Sequence, residues 1–112
     1  MPVLAPELGG DQGPVLITIE YRVAVTDRPS FLDAVAKIAG VRRRDGAYDW
    51  DVYEDAADPG RFVETYLVDS WMEHLRQHDR VTNADKLIET SIRRFHAQGQ
   101  PVVTHWVSQH HA

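Results

Sequence analysis

The stretch from Asp55 to Asp79, DAADPGRFVETYLVDSWMEHLRQHD, constrains the fold more than any other part of the chain. It contains a turn, a strand, a second turn and a helix in immediate succession. Asp58-Pro59-Gly60 is a reversal, because proline presets φ and glycine accepts the positive φ that closes a tight turn. Arg61 to Val68 is rich in β-branched and aromatic residues and predicts a strand. Ser70 lies three residues before Glu73, which is the spacing of a capping box. Trp71, His74, Leu75 and His78 then recur at i, i+3, i+4 and i+7, on one helical face. A helix that starts directly after a strand folds back over it. This face therefore looks down on the sheet, with Tyr66 opposite.

The flanking sequence supplies the other elements. Val15 to Val23 alternates, with Val15, Ile17, Ile19 and Tyr21 on one side and Leu16, Thr18 and Glu20 on the other. Thr26 or Asp27 caps the next segment, and Pro29 suits its first turn. Phe31, Leu32, Val35, Ala36, Ile38 and Ala39 form a helical stripe that Asp45-Gly46 terminates. Ala47 to Glu54 reads as a strand with Tyr48, Trp50 and Val52 on one face, paired as a hairpin with the strand that follows. The helix from Trp71 breaks near Arg80–Thr82, where Thr82 and Asn83 form a fresh cap. Leu87, Ile88, Ser91, Ile92 and Phe95 continue helically to His96, and Val102 to Val107 is the last strand.

The order is β-α-β-β-α-β, a ferredoxin-like α+β pattern with an antiparallel sheet and helices on one face. Residues 1–13 read as a tail or linker, 14–108 as the domain and 109–112 as a second tail. Leu16, Thr18, Val63, Leu67, Val103 and Val107 leave the far side of the sheet largely apolar, so a second cover is expected there. A two-fold copy of the same chain would supply it.

Composition excludes several classes. The 112 residues make one domain, and the absence of cysteine removes disulfide and thiolate chemistry and fits a reducing, cytoplasmic location. Seventeen acidic against twelve basic side chains leave a net charge of −5, which disfavours nucleic acid as a partner. The basic run Arg42-Arg43-Arg44 falls at a helix end, where cations complement the dipole, a reading favoured over an anion site. No apolar run reaches the roughly 20 residues that span a bilayer, so this segment is not expected to insert into a membrane.

The blocks GPVLITIEYRV, RRRDGAYDW, DAADPGRFVETYLVDSW and EHLRQHDRVTNAD resemble two related groups. The broader is the antibiotic biosynthesis monooxygenase-like family of dimeric α+β barrel proteins. The narrower is the soluble C-terminal domain of certain major facilitator superfamily exporters. The resemblance implies a homodimeric barrel, tethered to a membrane transporter in the exporter case. It also implies a pocket between the sheet and its own helices. In the enzymes of the family a Trp on the third strand faces a His pair on the helix. Here Tyr66 stands on that strand, Trp71 arrives at the helix start, and His74 and His78 form the pair one residue closer in spacing.

The candidate site follows from these residues. His74, His78 and Tyr66 are the candidate catalytic groups, since an imidazole near neutral pKa moves protons to or from a phenol. Trp71, Glu64, Trp50 and His105 are candidate pocket residues for an aromatic small molecule. The competing reading packs Trp50 and Trp106 into the core and the two histidines into a helix–sheet contact. Glu64 shares a strand face with Tyr66 and needs a partner if buried, with Arg61 or Arg76 available. No HExxH motif, phosphate loop or GxSxG motif is present, and neither a metal nor a cofactor is expected. Three functions stay open. They are a non-catalytic dimeric domain that binds a small molecule or regulates an exporter, a cofactor-independent monooxygenase acting on a phenolic or polyketide-like substrate, and a haem-degrading relative.

Overall fold

The computed structural model describes residues 9, 12–79, 83–97 and 99–110, with the side chains of 77–79 and 83–84 left undescribed. Its elements are β1 (Val15–Arg22), α1 (Arg28–Arg44), β2 (Tyr48–Glu54), β3 (Arg61–Val68), α2 (Trp71–Asp79), α3 (Asn83–Arg93) and β4 (Val102–Val107). A single 3-10 turn, Val25–Asp27, leads into α1. The sheet order is β2-β3-β1-β4, and every neighbouring pair is antiparallel. This is the ferredoxin-like arrangement, with its second helical stretch divided into α2 and α3. The cap expected at Thr82 and Asn83 lies outside the described residues.

The barrel expectation is overturned. β2 and β4 are the two edges of one open sheet and do not pair with each other. Closure requires the first and last strands of a sheet to tilt and stagger until they pair, and here β2 and β4 remain unpaired edges. The helices cover one face, and among the described residues no element covers the other.

Local chemistry explains the boundaries. The Ser70 hydroxyl accepts the Glu73 amide at 3.1 Å, which completes half of a capping box. The Trp71 amide donates to the Gln12 carbonyl at 3.3 Å, so the chain just before β1 satisfies another orphan donor of α2. Gly46, at φ 102°, ends α1 by donating back to the Arg43 carbonyl. Gly60, at φ 91°, closes the β2–β3 reversal, and a Cβ there would collide with the Val23 carbonyl oxygen. β1 stops at Arg22, and Val23 makes an isolated bridge to His96, beyond the end of α3.

The core lies between the sheet and α1. Val15, Ile17, Ile19 and Tyr21 alternate inward from β1, and Phe62, Glu64, Tyr66 and Val68 from β3. Phe31, Val35 and Ile38 of α1 pack on them with no exposed surface. The Phe31 ring sits 4.9 Å from Phe62 and 5.2 Å from Tyr21, in tilted geometries that favour aromatic contact.

Strand register corrects three expectations about the far face. Val103 and Val107 pair with Ile19 and Val15, so they belong to the helix side. β4 instead offers Val102, Thr104 and Trp106 to the outside. Trp106 is 55% exposed and is not a core residue; its indole donates to the Thr18 hydroxyl at 3.0 Å. A bulge between Tyr48 and Asp51, with Asp49 at φ 52°, flips the start of β2. Tyr48 therefore pairs with Leu67 on the outer face, while Trp50 turns inward. The outer face carries Leu16, Val63, Leu67, Tyr53 and Trp106.

Candidate functional site

Glu64 is the electrostatic centre of the inner face. It has no exposed surface, and burying a carboxylate without partners would cost several kcal/mol. Three donors converge on it. Trp50 Nε1 donates to Oε2 at 2.8 Å, Arg42 Nε donates to the same oxygen at 3.1 Å, and the Tyr21 hydroxyl reaches Oε1 at 3.4 Å. The bulge in β2 aims the Trp50 indole inward, and the last turn of α1 lowers Arg42 onto the sheet. The expected partners serve elsewhere. Arg61 is on the outer face with Glu20 and Asp55, and Arg76 pairs with Glu73 on α2.

Arg42 does more than complement the dipole of α1. Its second branch donates to Glu89 of α3 at 3.2 Å, and its guanidinium lies 5.0 Å from the centre of the Tyr66 ring. Burial works against its charge, but Tyr66 and Glu64 facing it outweigh that and hold its pKa above the ordinary arginine value. Arg44 pairs with the buried Asp85 of α3 at 2.8 Å. The basic run thus clamps the C-terminal end of α1 to the sheet and to α3.

A half-open cavity of about 800 Å³ lies between the sheet and α3. Ile17, Ile19, Tyr66, Val103 and His105 floor it, and Arg42, His74 and residues of α3 wall it. Burial raises the Tyr66 phenol to about 12, with Arg42 opposing the shift and Glu64 adding to it. Tyr66 is accordingly protonated near neutral pH and can donate a hydrogen bond, but it is not a base there. Tyr21, buried beside Glu64, is raised further.

At one end of the cavity His74 of α2, 4% exposed, lies with its ring centre 4.7 Å from that of His105 of β4 in a tilted contact, and Trp71 lies about equally close to both at 5.5 Å and 5.4 Å. α2 supplies Trp71 and His74 three residues apart. The pairing of His105 with Ile17 at the β1–β4 edge brings the third ring up from below.

The candidate residues thus divide. Tyr66, His74 and His105 line one cavity, with Trp71 packed behind the two imidazoles. Buried Glu64 and half-buried Trp50 are hydrogen-bonded to each other and are not part of its lining. The His78 side chain lies outside the described residues. Arg42, Tyr21 and Asp85 were not among the candidate site residues read from the sequence. The available signal for Arg42 was the need of a buried Glu64 for a cation. Among the described residues, no group of three or more His, Cys, Asp or Glu side chains is arranged to hold a metal ion.

The sequence matches the model of the major-facilitator-related family described as transmembrane secretion effector, over residues 1–112. The chain belongs to the transmembrane secretion effector family. No curated protein matches the chain. Solved structures share its fold. A candidate antibiotic biosynthesis monooxygenase from Caulobacter crescentus is 15% identical and superposes with a TM-score of 0.74, over 89% of this chain and 93% of that one. A candidate antibiotic biosynthesis monooxygenase from Nitrosomonas europaea, 14% identical, gives 0.73 over 91% and 96%. A conserved Methanosarcina mazei protein, 9% identical, gives 0.72 over 87% and 94%. Both resemblances seen in the sequence, to exporters and to monooxygenase-like proteins, therefore hold. At these identities the structural likeness establishes the fold alone. Among the described residues of the chain no helix is long and apolar enough to cross a membrane.

Proposed function

We propose that this domain binds a planar phenolic small molecule in the cavity between helices and sheet and oxygenates it without a cofactor. The observation that carries this reading is the meeting of Tyr66, His74 and His105 around one cavity with an apolar floor. The chemistry asks little of a protein. An imidazole, His74 or its helix neighbour His78, removes a proton from an activated C–H of the substrate. The carbanion passes one electron to dioxygen, and the resulting radical and superoxide couple to a peroxide. Loss of water breaks the O–O bond and the second C–H bond. A methylene thereby becomes a carbonyl, one oxygen atom enters the product and the other leaves as water. Tyr66, protonated, donates to the oxygen on which charge develops. The fold shared with candidate monooxygenases supports the reading.

Incubation with a dihydroxy-anthrone under air, following quinone absorbance, tests it. We expect turnover above the spontaneous rate that falls at least tenfold in His74→Ala and in Tyr66→Phe, each about 1.4 kcal/mol or more of transition-state stabilisation. A rate equal to the protein-free control would end the oxygenase proposal. The match to a transmembrane secretion effector family favours a second reading, in which the same cavity senses an exported compound and no chemistry follows. Saturable quenching of tryptophan fluorescence without quinone formation would support that one. In either case the domain would be attached to a membrane transporter.

We also infer that two copies associate through the outer sheet face. Leu16, Val63, Leu67, Tyr53 and Trp106 form an apolar surface that none of the described helices covers. Sedimentation at micromolar concentration should give a dimer, and Trp106→Glu should shift it to monomer. A monomeric wild-type chain would refute the association.

A further inference from the structure

We propose that the mouth of the cavity recognises an anionic oxygen, so that the preferred ligand is a planar aromatic bearing a carboxylate or comparable acidic substituent. This deepens the small-molecule reading above and rests on it. The argument is a charge account of the cavity wall. Three carboxylates line it, Asp45, Asp85 and Glu89, and none lacks a partner. Asp85 is held by Arg44 at 2.8 Å, while Glu89 takes Arg42 at 3.2 Å on one oxygen and Arg93 at 3.9 Å on the other. Arg42 in turn is bound to Glu64. Asp85 and Glu89 on this wall are thus each met by an arginine from α1, Arg44 and Arg42.

Lys86 also lines the cavity, and among the described residues its ammonium makes no ion pair. Arg93 has only the long contact to Glu89 and is half in solvent. Lys86 and Arg93 are seven residues apart on α3. They therefore lie on the same side of the helix, two turns and about 10 Å apart along its axis. Two incompletely matched cations thus stand at the mouth of a cavity whose floor is Ile17, Ile19 and Val103. An aromatic body suits the floor, and an acidic substituent suits the mouth. The contrast with the chain as a whole, at net charge −5, makes this a local feature rather than a general basicity.

Anthraquinone-2-carboxylate and anthraquinone-2-carboxamide have nearly the same shape and differ in charge. Binding of each to the full chain can be followed by quenching of tryptophan fluorescence. The carboxylate should bind about tenfold more tightly, the scale of one charge-assisted hydrogen bond in a half-enclosed site. Lys86→Gln should remove most of that preference and leave carboxamide affinity within about twofold, since the neutral amide gains no charge–charge attraction from the ammonium and glutamine still offers it an N–H donor. Arg93→Gln should have a smaller effect in the same direction. Lys86 is solvent-exposed, so the variant should keep its unfolding midpoint. Equal binding of the two probes by wild type, or equal weakening of both in Lys86→Gln, would overturn the anion proposal and leave the cavity reading standing. Binding of neither probe would overturn both.

Discussion

Replacing Arg42 by alanine should cost about 3–5 kcal/mol of folding stability, the range for breaking one partner out of a buried ion pair. The magnitude follows from what is left behind. Glu64 has no exposed side-chain surface and Arg42 only 16%, so water reaches neither carboxylate oxygen readily. Without the guanidinium, Glu64 keeps only the Trp50 indole and the distant Tyr21 hydroxyl as donors. Glu64→Ala should also destabilise, but by less, because Arg42 keeps Glu89 as a partner while the Trp50 indole loses its acceptor. The double variant Arg42→Met, Glu64→Leu should be destabilised by much less than the sum of the singles, since two apolar side chains need no mutual desolvation. Urea unfolding measures all three. Arg76→Ala is the control: its pair with Glu73 is on the surface, and its loss should cost under about 0.5 kcal/mol. A cost below about 1 kcal/mol for Arg42→Ala would mean that Glu64 is solvated in solution.

The second large effect is alkaline. Tyr66 and Tyr21 both ionise above the ordinary tyrosine value in the folded chain, Tyr66 at about 12 and Tyr21 higher, with burial as the main cause in each. In the unfolded chain both ionise near 10. Above pH 10 the unfolded state therefore releases protons that the folded state retains, and stability falls as pH rises. Each such proton contributes about 1.4 kcal/mol per pH unit, so the two together give a slope approaching 3 kcal/mol per unit between pH 10 and 12. Below pH 10 both phenols are protonated in both states, and the effect vanishes. Of the four tyrosines, the more exposed Tyr48 and Tyr53 should ionise in the folded chain. Tyrosinate absorbance should then show Tyr21 and Tyr66 appearing together with the cooperative loss of the far-ultraviolet signal. Tyr66→Phe should remove about half of the slope. Ionisation of all four well before unfolding would show that the two phenols are not sealed from water.

The element order was legible because it depends on local periodicity. Alternation from Val15 to Tyr21, the stripe from Phe31 to Ile38 and the Ser70–Glu73 cap each report on neighbours a few residues away, and each is found in the structure. The open sheet was not legible. The barrel expectation came from likeness to other proteins, and whether β2 and β4 meet depends on strand number and twist rather than on any residue. The faces of β4 and of the start of β2 failed for a related reason. A strand seen alone does not say which of its two sides faces inward, and one bulge at Asp49 reverses the assignment for Tyr48.

The candidate site divides along the same line. His74 facing the sheet follows from helical spacing after the third strand, and the sequence alone determines it. That His105 lies under His74 depends on the pairing of β4 with β1, and that Arg42 rather than Arg61 or Arg76 neutralises Glu64 depends on how the end of α1 settles on β3. The sequence stated the requirement, a cation for a buried carboxylate. Only the tertiary structure decided which cation meets it, because electrostatic partners are chosen by distance through space, and the packing of a helix on a sheet sets that distance.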